Sequence, residues 1–358
     1  MADKRNSSDT SLEEKYKLVA DTIRAYPLQL RQAWDEIQSS HIPDSYKDID
    51  NIVFCGMGGS ALGARMVRAF AFDRLRVPME IYNDYKIPNY VNNKSLVIVS
   101  SYSGTTEETV ESFYQALKKQ AKIFGITTGG TLADLLVNEE AIPYVFEPKY
   151  NPSGQPRMSI GYASGATLAI LAKLGIINIT EGEVEEAIVT MNNVLTEYNE
   201  NAPGEKNLAY SFAGKLKRRI PILVASEHLL GTAHTIKNQF NESAKTFCAL
   251  FDIPELNHHL MEGLRNPAKL RELFTFVFIK SKLYSEKIQR RYPLTYDVVK
   301  KNGVDYLVYS PSSEAKLSEV YETLIFGSFT VYYLTKLYEI DPVAIPWVNF
   351  FKKELAKQ

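Results

Sequence analysis

A loop dense in hydroxyl groups lies between a strand pattern and a helix pattern, and it offers the clearest chemistry in this sequence. The apolar run 96–99 predicts a short buried strand, and residues 110–119 carry a helical pattern. Between them, Ser101, Ser103 and Thr106 can each donate to a phosphate oxygen, while Gly104 lets the backbone approach closely. Hydroxyls and free N–H groups at a helix start predict an anion site suited to a terminal sugar phosphate. The alternative is an ordinary helix start, at which one hydroxyl caps and the others are solvated.

A second loop, rich in glycine, follows an earlier strand pattern at residues 51–55. Gly58, Gly59 and Ser60 lie in a turn that matches GxGxxA, so a nicotinamide dinucleotide site is one interpretation, with Glu80 as the acid for the ribose. Two features oppose it. The Ser60 hydroxyl suits a sugar or phosphate oxygen, and a dinucleotide site would not need a second anion loop at the next strand end. The turn therefore favours a sugar phosphate.

Three side chains further along are candidates for acid, base or charge-stabilising roles. Arg157 opens a helix pattern after a turn-rich segment; an isolated arginine would be solvated, but near two anion loops it could stabilise developing negative charge. Glu242 would ordinarily be a surface helix carboxylate. His258 and His259 are adjacent in a chain with five histidines. They are poor metal ligands, because neighbouring residues point apart and no third ligand has matching spacing.

Strand patterns alternate with helix patterns through both halves of the chain. Besides the two strands already named, they lie at 79–82, 123–127, 143–146, 220–225, 274–279 and 305–309. This alternation predicts an α/β fold with doubly wound, mostly parallel sheets flanked by helices, and ligands beyond the carboxyl ends of the strands. The second half repeats the architecture without the glycine turn, which predicts a duplicated fold with one set of substrate loops.

The same patterns give domain boundaries. Residues 1–41 are predicted to be a polar tail, disordered to about residue 10, followed by a helical arm with periodicity from 11 to 39. The first domain covers 42–180, an acidic helical connector covers 181–204, and the second domain with a C-terminal helix covers 205–358.

Composition excludes several classes of protein. A chain of 358 residues suits two domains, and a formal charge of −1 gives no general attraction to nucleic acid or to an anionic membrane. The polar N-terminus and the lack of a long apolar run predict a protein that is neither exported nor inserted in a membrane. Cys55 and Cys248 form no disulfide framework and no metal spacing, so a reducing cytoplasm is expected.

Five segments together resemble the bifunctional phosphoglucose/phosphomannose isomerases of the sugar isomerase (SIS) superfamily. They are residues 56–60, 101–108, 153–157, 241–245 and 255–258, in the order found in that family. The resemblance covers residues from about 42 to the C-terminus. It implies two tandem SIS domains and a homodimer with the active site at its interface. It also implies interconversion of glucose 6-phosphate or mannose 6-phosphate with fructose 6-phosphate.

The resemblance also assigns roles to residues. It implies that Ser101, Ser103 and Thr106 hold the phosphate, and that Gly58, Gly59 and Ser60 line the sugar. It implies that four further residues carry the chemistry: Arg157, Glu242, His258 and a C-terminal lysine. Lys352 is preferred over Lys353 because the family's lysine lies three residues before a leucine.

These residue types suit aldose–ketose isomerisation without the resemblance. The reaction needs a carboxylate base, a cation beside an enediolate, and an acid/base pair for ring opening. It needs no metal and no redox cofactor. A sugar-phosphate sensor with the same loops is the alternative, although a sensor would not need a base. Amidotransfer would require a catalytic cysteine, and Cys55, within a strand pattern, is badly placed for that role.

Overall fold

The structure, a computed structural model, describes residues 10–204, 206–355 and 357. The predicted disorder of residues 1–10 therefore lies, apart from Thr10, outside the described residues. The helices are α1 (Leu12–Arg24), α2 (Tyr26–Ser39), α3 (Gly59–Phe70), α4 (Glu107–Lys118), α5 (Gly130–Asn138), α6 (Ile160–Lys173), α7 (Glu181–Tyr198), α8 (Leu208–Leu216), α9 (Leu230–Glu242), α10 (Leu260–Gly263), α11 (Leu270–Leu273), α12 (Glu286–Lys301), α13 (Lys316–Tyr338) and α14 (Pro346–Leu355).

The strands form two parallel sheets. The strands are β1 (Asn51–Gly56), β2 (Met79–Tyr82), β3 (Ser95–Ser101), β4 (Lys122–Thr127), β5 (Ile142–Val145), β6 (Ile220–Ala225), β7 (Ala249–Asp252), β8 (Phe274–Ile279) and β9 (Asp305–Tyr309). The first sheet has the order β2-β1-β3-β4-β5 and the second the order β7-β6-β8-β9. Every pairing recorded between these strands is parallel, which confirms the predicted α/β fold class.

Helices on both faces of the first sheet explain its continuous apolar strands. In β1 and β3, Phe54 pairs with Ile98, and both side chains are fully buried. A parallel strand covered on both faces carries an unbroken apolar run instead of an alternating one. The strand β7, in contrast, was not predicted. Its four residues are only half-buried at the edge of the second sheet, so they carry a weak apolar signal.

One large hydrophobic core lies between the two sheets. Helices α6 and α13 run through it, and almost every residue of each is buried. A smaller cluster, which includes Phe113 and Leu136, fills the other face of the first sheet. Helices α3 and α9 meet directly, and a Cβ on Gly231 would lie only 2.1 Å from the carbonyl oxygen of Arg65. The two sheets are therefore joined by closely packed helices.

The N-terminal helices belong to this core. A Cβ on Gly161 of α6 would lie 2.6 Å from the carbonyl oxygen of Tyr26, so the backbones of α2 and α6 are in contact. Tyr16 and Trp34 are buried in the same core. The sequence predicted a helical arm in this region, and the structure shows two helices packed on the body of the protein.

The predicted connector also packs on the core. Its helix α7 begins with a capping box between Thr180 and Glu183 and buries its apolar face against α13. All strands of the first sheet lie within residues 42–180 and all strands of the second within 205–358. The exact domain boundaries remain predictions. Among the described residues, no helix combines the length and apolar character needed to cross a membrane.

Candidate active site

The two predicted loops meet at the carboxyl edge of the first sheet. They follow β1 and β3, which are neighbours at the point where the strand order reverses. The Ser60 hydroxyl accepts a hydrogen bond from the Tyr102 N–H at 3.0 Å, and the Ser100 hydroxyl donates to the Ser60 carbonyl at 3.2 Å. Ligands in open parallel sheets bind at such a crevice. The structure therefore places Gly58, Gly59 and Ser60 beside the hydroxyl loop.

Within the hydroxyl loop, the side chains bond to one another. The Ser101 hydroxyl donates to Thr106 Oγ1 at 2.8 Å, and Ser103 Oγ lies 3.0 Å from Thr105 Oγ1. Thr106 precedes α4, but its side chain makes no capping hydrogen bond to any described residue. The interpretation of these hydroxyls as ordinary helix caps is therefore weakened.

Gly104 gives this loop its shape. Its φ is +69°, and a Cβ at this position would lie 1.7 Å from the carbonyl oxygen of Gly129. The loop is pressed against the turn between β4 and α5, and any side chain at Gly104 would force the two apart. This contact fixes the backbone between Ser103 and Thr105.

The segment that carries Arg157 lies against the glycine loop. A Cβ on Gly59 would be 2.6 Å from the carbonyl carbon of Pro156 and 2.7 Å from the Arg157 nitrogen. Only glycine allows this approach. The segment also reaches the hydroxyl loop, because the Asn151 amide donates to the Tyr102 hydroxyl at 3.1 Å.

Arg157 is a buried cation with fixed donors. Its side chain is 2% exposed, so the interpretation as a solvated helix-start residue is wrong. Its Nε donates to Ser243 Oγ at 3.0 Å and its Nη1 to Gln155 Oε1 at 2.9 Å. Its Nη2 donates to the carbonyl oxygens of Pro342 and Val343, at 2.7 and 3.0 Å. Burial lowers the pKa of Arg157 and the nearby Glu242 opposes that change; a guanidinium stays charged in this setting.

Glu242 faces Arg157 from the end of α9. Its Oε2 lies 3.7 Å from Arg157 Nη1, and its side chain is 29% exposed. Burial raises the pKa of the Glu242 carboxyl above its ordinary value, while Arg157, Lys245 and Lys237 oppose the rise. A partly desolvated carboxylate that keeps access to solvent is suited to accept a proton from carbon.

Lys245 joins this group, although sequence analysis assigned it no role beyond membership of a motif. Its Nζ donates to the carbonyl oxygen of Glu242 at 2.8 Å and to that of Ala344 at 2.7 Å. Burial, followed by the charge of Arg157, lowers the pKa of Lys245 to about 8. Lys245 lies three residues after Glu242, just beyond the end of α9. That spacing could have predicted from the sequence that the two residues are close.

His258 lies at the opposite edge of the second sheet from Glu242 of the same chain. Because β6 and β7 are parallel, α9 must run back along the sheet between them, and its 13 residues span about 20 Å. Glu242 ends that helix, whereas His258 follows β7. The Ser226 hydroxyl, just after β6, donates to the Ile253 carbonyl at 3.0 Å, which fixes the His258 segment at the carboxyl edge. One chain therefore does not bring Glu242 and His258 together.

The C-terminal lysine candidates lie on α14. Both Lys352 and Lys353 are exposed, and every residue of α14 is at least partly exposed. The helix also exposes Trp347, Phe350 and Phe351. The choice between Lys352 and Lys353 stays a prediction.

The alternative chemistries fit poorly. Glu80, the candidate ribose acid, accepts hydrogen bonds from the hydroxyls of Tyr82 and Tyr90. Burial raises the pKa of the Cys55 thiol to about 12, so it is a packed core residue and a poor nucleophile. Within the described residues, no group of three or more His, Cys, Asp or Glu is arranged to hold a metal ion.

Known proteins are similar to this chain over its second half and over nearly its whole length. Residues 205–355 match the bacterial phospho-glucose isomerase C-terminal SIS domain. The bifunctional phosphoglucose/phosphomannose isomerase of Caldicellulosiruptor bescii is 31% identical over 344 residues, covering 94% of this chain and 98% of the relative. The enzyme of the same name from Aquifex aeolicus is 27% identical, covering 97% and 99%.

A solved structure of a hypothetical protein from Thermus thermophilus has the same fold. Its TM-score is 0.73 at 17% identity, over 97% of this chain and 94% of that one. The likeness at this identity concerns the fold, whereas the similarity to the Caldicellulosiruptor enzyme extends over nearly the whole of both chains. The chain therefore belongs to the bifunctional phosphoglucose/phosphomannose isomerase family.

Proposed function

We propose that this protein is a sugar-phosphate isomerase that interconverts glucose 6-phosphate and mannose 6-phosphate with fructose 6-phosphate. The observation that carries the proposal is the Arg157–Glu242 pair, 3.7 Å apart, beside the two loops at the carboxyl edge of the first sheet. A base and a fixed cation next to an anion site are the parts that aldose–ketose isomerisation requires. Relatives that carry this activity in their names cover nearly the whole length of the chain.

The phosphate would bind in the hydroxyl loop. The hydroxyls of Ser101, Ser103 and Thr106 can turn from one another toward phosphate oxygens, with the N-terminus of α4 behind them. The sugar would then extend along Gly58, Gly59 and Ser60 toward Arg157, since Gly59 lies against the Arg157 backbone.

Glu242 would move the proton. Its carboxylate takes the proton from C2 of the open-chain aldose, and the electron pair of that C–H bond forms the double bond of a cis-enediolate. The guanidinium of Arg157 stabilises the negative charge on O1, and the protonated Glu242 returns its proton to C1. The O2 hydroxyl proton moves to O1, and its electron pair forms the C2 carbonyl of the ketose. His258 and Lys352 would open and close the ring. The scheme requires no metal and no redox cofactor.

The alternative is a sugar-phosphate sensor that binds without turnover. A sensor has no use for a desolvated carboxylate held close to a buried arginine. Coupled assays of the purified protein on glucose 6-phosphate and mannose 6-phosphate, with and without EDTA, test this. Turnover of both sugars in EDTA is expected. Binding without turnover would favour the sensor, and activity that EDTA removes and added metal restores would reject the metal-free scheme.

We also propose the assembly in which this site works. Tandem SIS domains at 42–180 and 205–358 would form a homodimer with its active site at the interface, in a reducing cytoplasm that suits two buried, unpaired cysteines. Support comes from His258, which lies too far from Glu242 of its own chain to share a site with it. Light scattering on the purified protein should give the mass of two chains; the mass of one chain would contradict the dimer.

A further inference from the structure

Both polar atoms of the Gln29 amide form hydrogen bonds with the backbone on either side of Arg157. Its Nε2 donates to the carbonyl oxygens of Tyr150 and Met158, at 2.8 and 3.1 Å. Its Oε1 accepts from the Gly161 N–H at 3.1 Å, one of the free donors at the start of α6. Gln29 is fully buried, so water does not compete for these bonds. The amide ties the beginning of the 150–158 loop to its end.

Two further residues of the N-terminal helices contact the same loop. The Thr22 hydroxyl accepts from the Ser153 N–H at 3.1 Å while donating to the Leu18 carbonyl. The Tyr26 hydroxyl donates to Met158 Sδ at 3.7 Å. Thr22 and Tyr26 are fully buried. The N-terminal helices therefore hold this loop through a row of buried polar contacts.

The loop has a shape that needs such support. It turns at Gly154, whose φ is +63°, and within it the Asn151 amide donates to the Gln155 carbonyl at 3.1 Å. Gln155 in turn accepts from Arg157 Nη1. These bonds keep the loop together but do not attach it to the body of the protein. The contacts from Gln29 and Thr22 attach the loop to the N-terminal helices. They add to the bond from Asn151 to the Tyr102 hydroxyl and to the bonds that Arg157 makes with Ser243, Pro342 and Val343.

We infer that Gln29 is a positioning residue for the proposed isomerisation, which holds Arg157 in place through the 150–158 loop. Gln29 does not touch the substrate; it fixes the backbone on both sides of the arginine. A displacement of about 1 Å in a catalytic group can cost ~10²-fold in rate. The inference gives the N-terminal helices a function in catalysis, and it rests on the proposed function.

The test is the isosteric variant Gln29→Met, compared with Gln38→Met. Gln38 lies on the same helix and also donates to a carbonyl of α6, that of Ala169 at 3.2 Å, but away from the loop. We expect Gln29→Met to lower kcat by ~10-fold or more with KM for fructose 6-phosphate little changed, because Gln29 bonds to Tyr150, Met158 and Gly161 and not to the hydroxyls proposed to hold the phosphate. Gln38→Met should keep both constants. Equal kcat losses in the two variants would mean a general loss of helix packing and would overturn the inference.

A double-mutant cycle separates positioning from stability. In an Arg157→Ala background, measured by exchange of the C2 proton with deuterated water, Gln29→Met should cause no further loss, since the group it positions is gone. If Gln29→Met lowers the exchange rate by the same factor in the wild-type and Arg157→Ala backgrounds, the assignment is rejected.

If Gln29→Met fails to fold, Thr22→Val takes its place, because it keeps the shape of a side chain that contacts the same loop. It should show the same loss of kcat and the same dependence on Arg157. If the wild-type protein turns over no sugar phosphate, the proposed function fails first; if it turns over and these variants match it, only the inference fails.

Discussion

Arg157 and Glu242 face each other across the junction of the two sheets, with Nη1 and Oε2 3.7 Å apart. Arg157 follows the last strand of the first sheet, and Glu242 ends a helix that follows the first strand of the second. The Ser243 hydroxyl, next to Glu242, accepts from Arg157 Nε and fixes the two segments together. The relative position of Arg157 and Glu242 therefore depends on the packing between the two halves of the chain.

Replacing Glu242, the proposed base, should lower the rate of proton transfer and leave substrate binding intact. Glu242→Gln keeps the size and hydrogen bonding of the side chain but removes the proton acceptor. We expect kcat to fall by ~10² or more with KM little changed, in steady-state assays on either aldose phosphate. Glu197→Gln, an exposed carboxylate near the end of α7, is the control. Near wild-type kcat in Glu242→Gln would mean that another residue is the base.

A substitution in the hydroxyl loop should have the opposite effect, weakening substrate binding while sparing the rate of turnover. Ser103 is exposed at the loop, and its hydroxyl contacts the Thr105 hydroxyl and accepts from the Thr105 N–H. Ser103→Ala removes one phosphate donor, so KM should rise several-fold while kcat stays close to the wild-type value. Thr196→Ala, which removes an exposed hydroxyl that donates to the Asn193 carbonyl within α7, should change neither constant. A fall in kcat without a change in KM would argue against a phosphate site at this loop.

Sequence patterns predicted the elements that position the site better than they predicted the contacts within it. The run from Ile52 to Cys55 is apolar at every position, as a strand buried on both faces must be, so β1 and the loop after it could be placed from sequence. Strand β7 gave a weaker signal because an edge strand buries less. Whether a residue belongs to a strand or a helix depends mainly on its neighbours in sequence, so local sequence patterns can predict it.

The supporting contacts come from residues far apart in sequence. Thr22 bonds to Ser153, and Gln29 bonds to Tyr150 and Met158, in pairs separated by more than a hundred residues. The sequence around Gln29 has the pattern of an ordinary amphipathic helix. Nothing in that pattern indicates that this glutamine is buried or that it bonds to a distant loop. The burial of Arg157 was missed for the same reason, since its carbonyl partners Pro342 and Val343 lie 185 and 186 residues further along the chain.

The pH profile should report the environment of Glu242. The base works only when ionised, and burial raises its pKa, so kcat/KM should fall on acidification at a higher pH than an exposed glutamate would give. Lys245 opposes that rise with its positive charge, which it keeps below its pKa of about 8. Lys245→Met removes the charge, raises the pKa of Glu242 further and should move the acid limb to higher pH.

Lys237→Met is the matched comparison for that experiment. Lys237 also lowers the pKa of Glu242, but less than Lys245 does, so its removal should move the acid limb in the same direction by a smaller amount. The profiles are measured as kcat/KM over the acid range at constant ionic strength. An acid limb that stays in place in Lys245→Met, or moves to lower pH, would contradict the assignment of the limb to Glu242.

The position of His258 predicts a site shared between two chains. Glu242 and His258 of one chain lie at opposite edges of the second sheet, so a site that uses both must draw them from different subunits. In a two-fold dimer, each of the two equivalent sites would take Glu242 from one chain and His258 from its partner. Glu242→Gln and His258→Ala should therefore each be inactive as homodimers.

Mixing the two variants tests this arrangement. When Glu242→Gln and His258→Ala chains are unfolded and refolded together in equal amounts, half of the dimers contain one chain of each kind. One of the two sites in such a dimer recovers both wild-type residues, so roughly a quarter of full activity should return by symmetry. His259→Ala, a change at the exposed neighbouring histidine, should be active without mixing. A site built within one chain gives no recovery, so background activity in a sample whose mixed dimers are confirmed by mass would reject the shared site and leave the isomerase proposal standing.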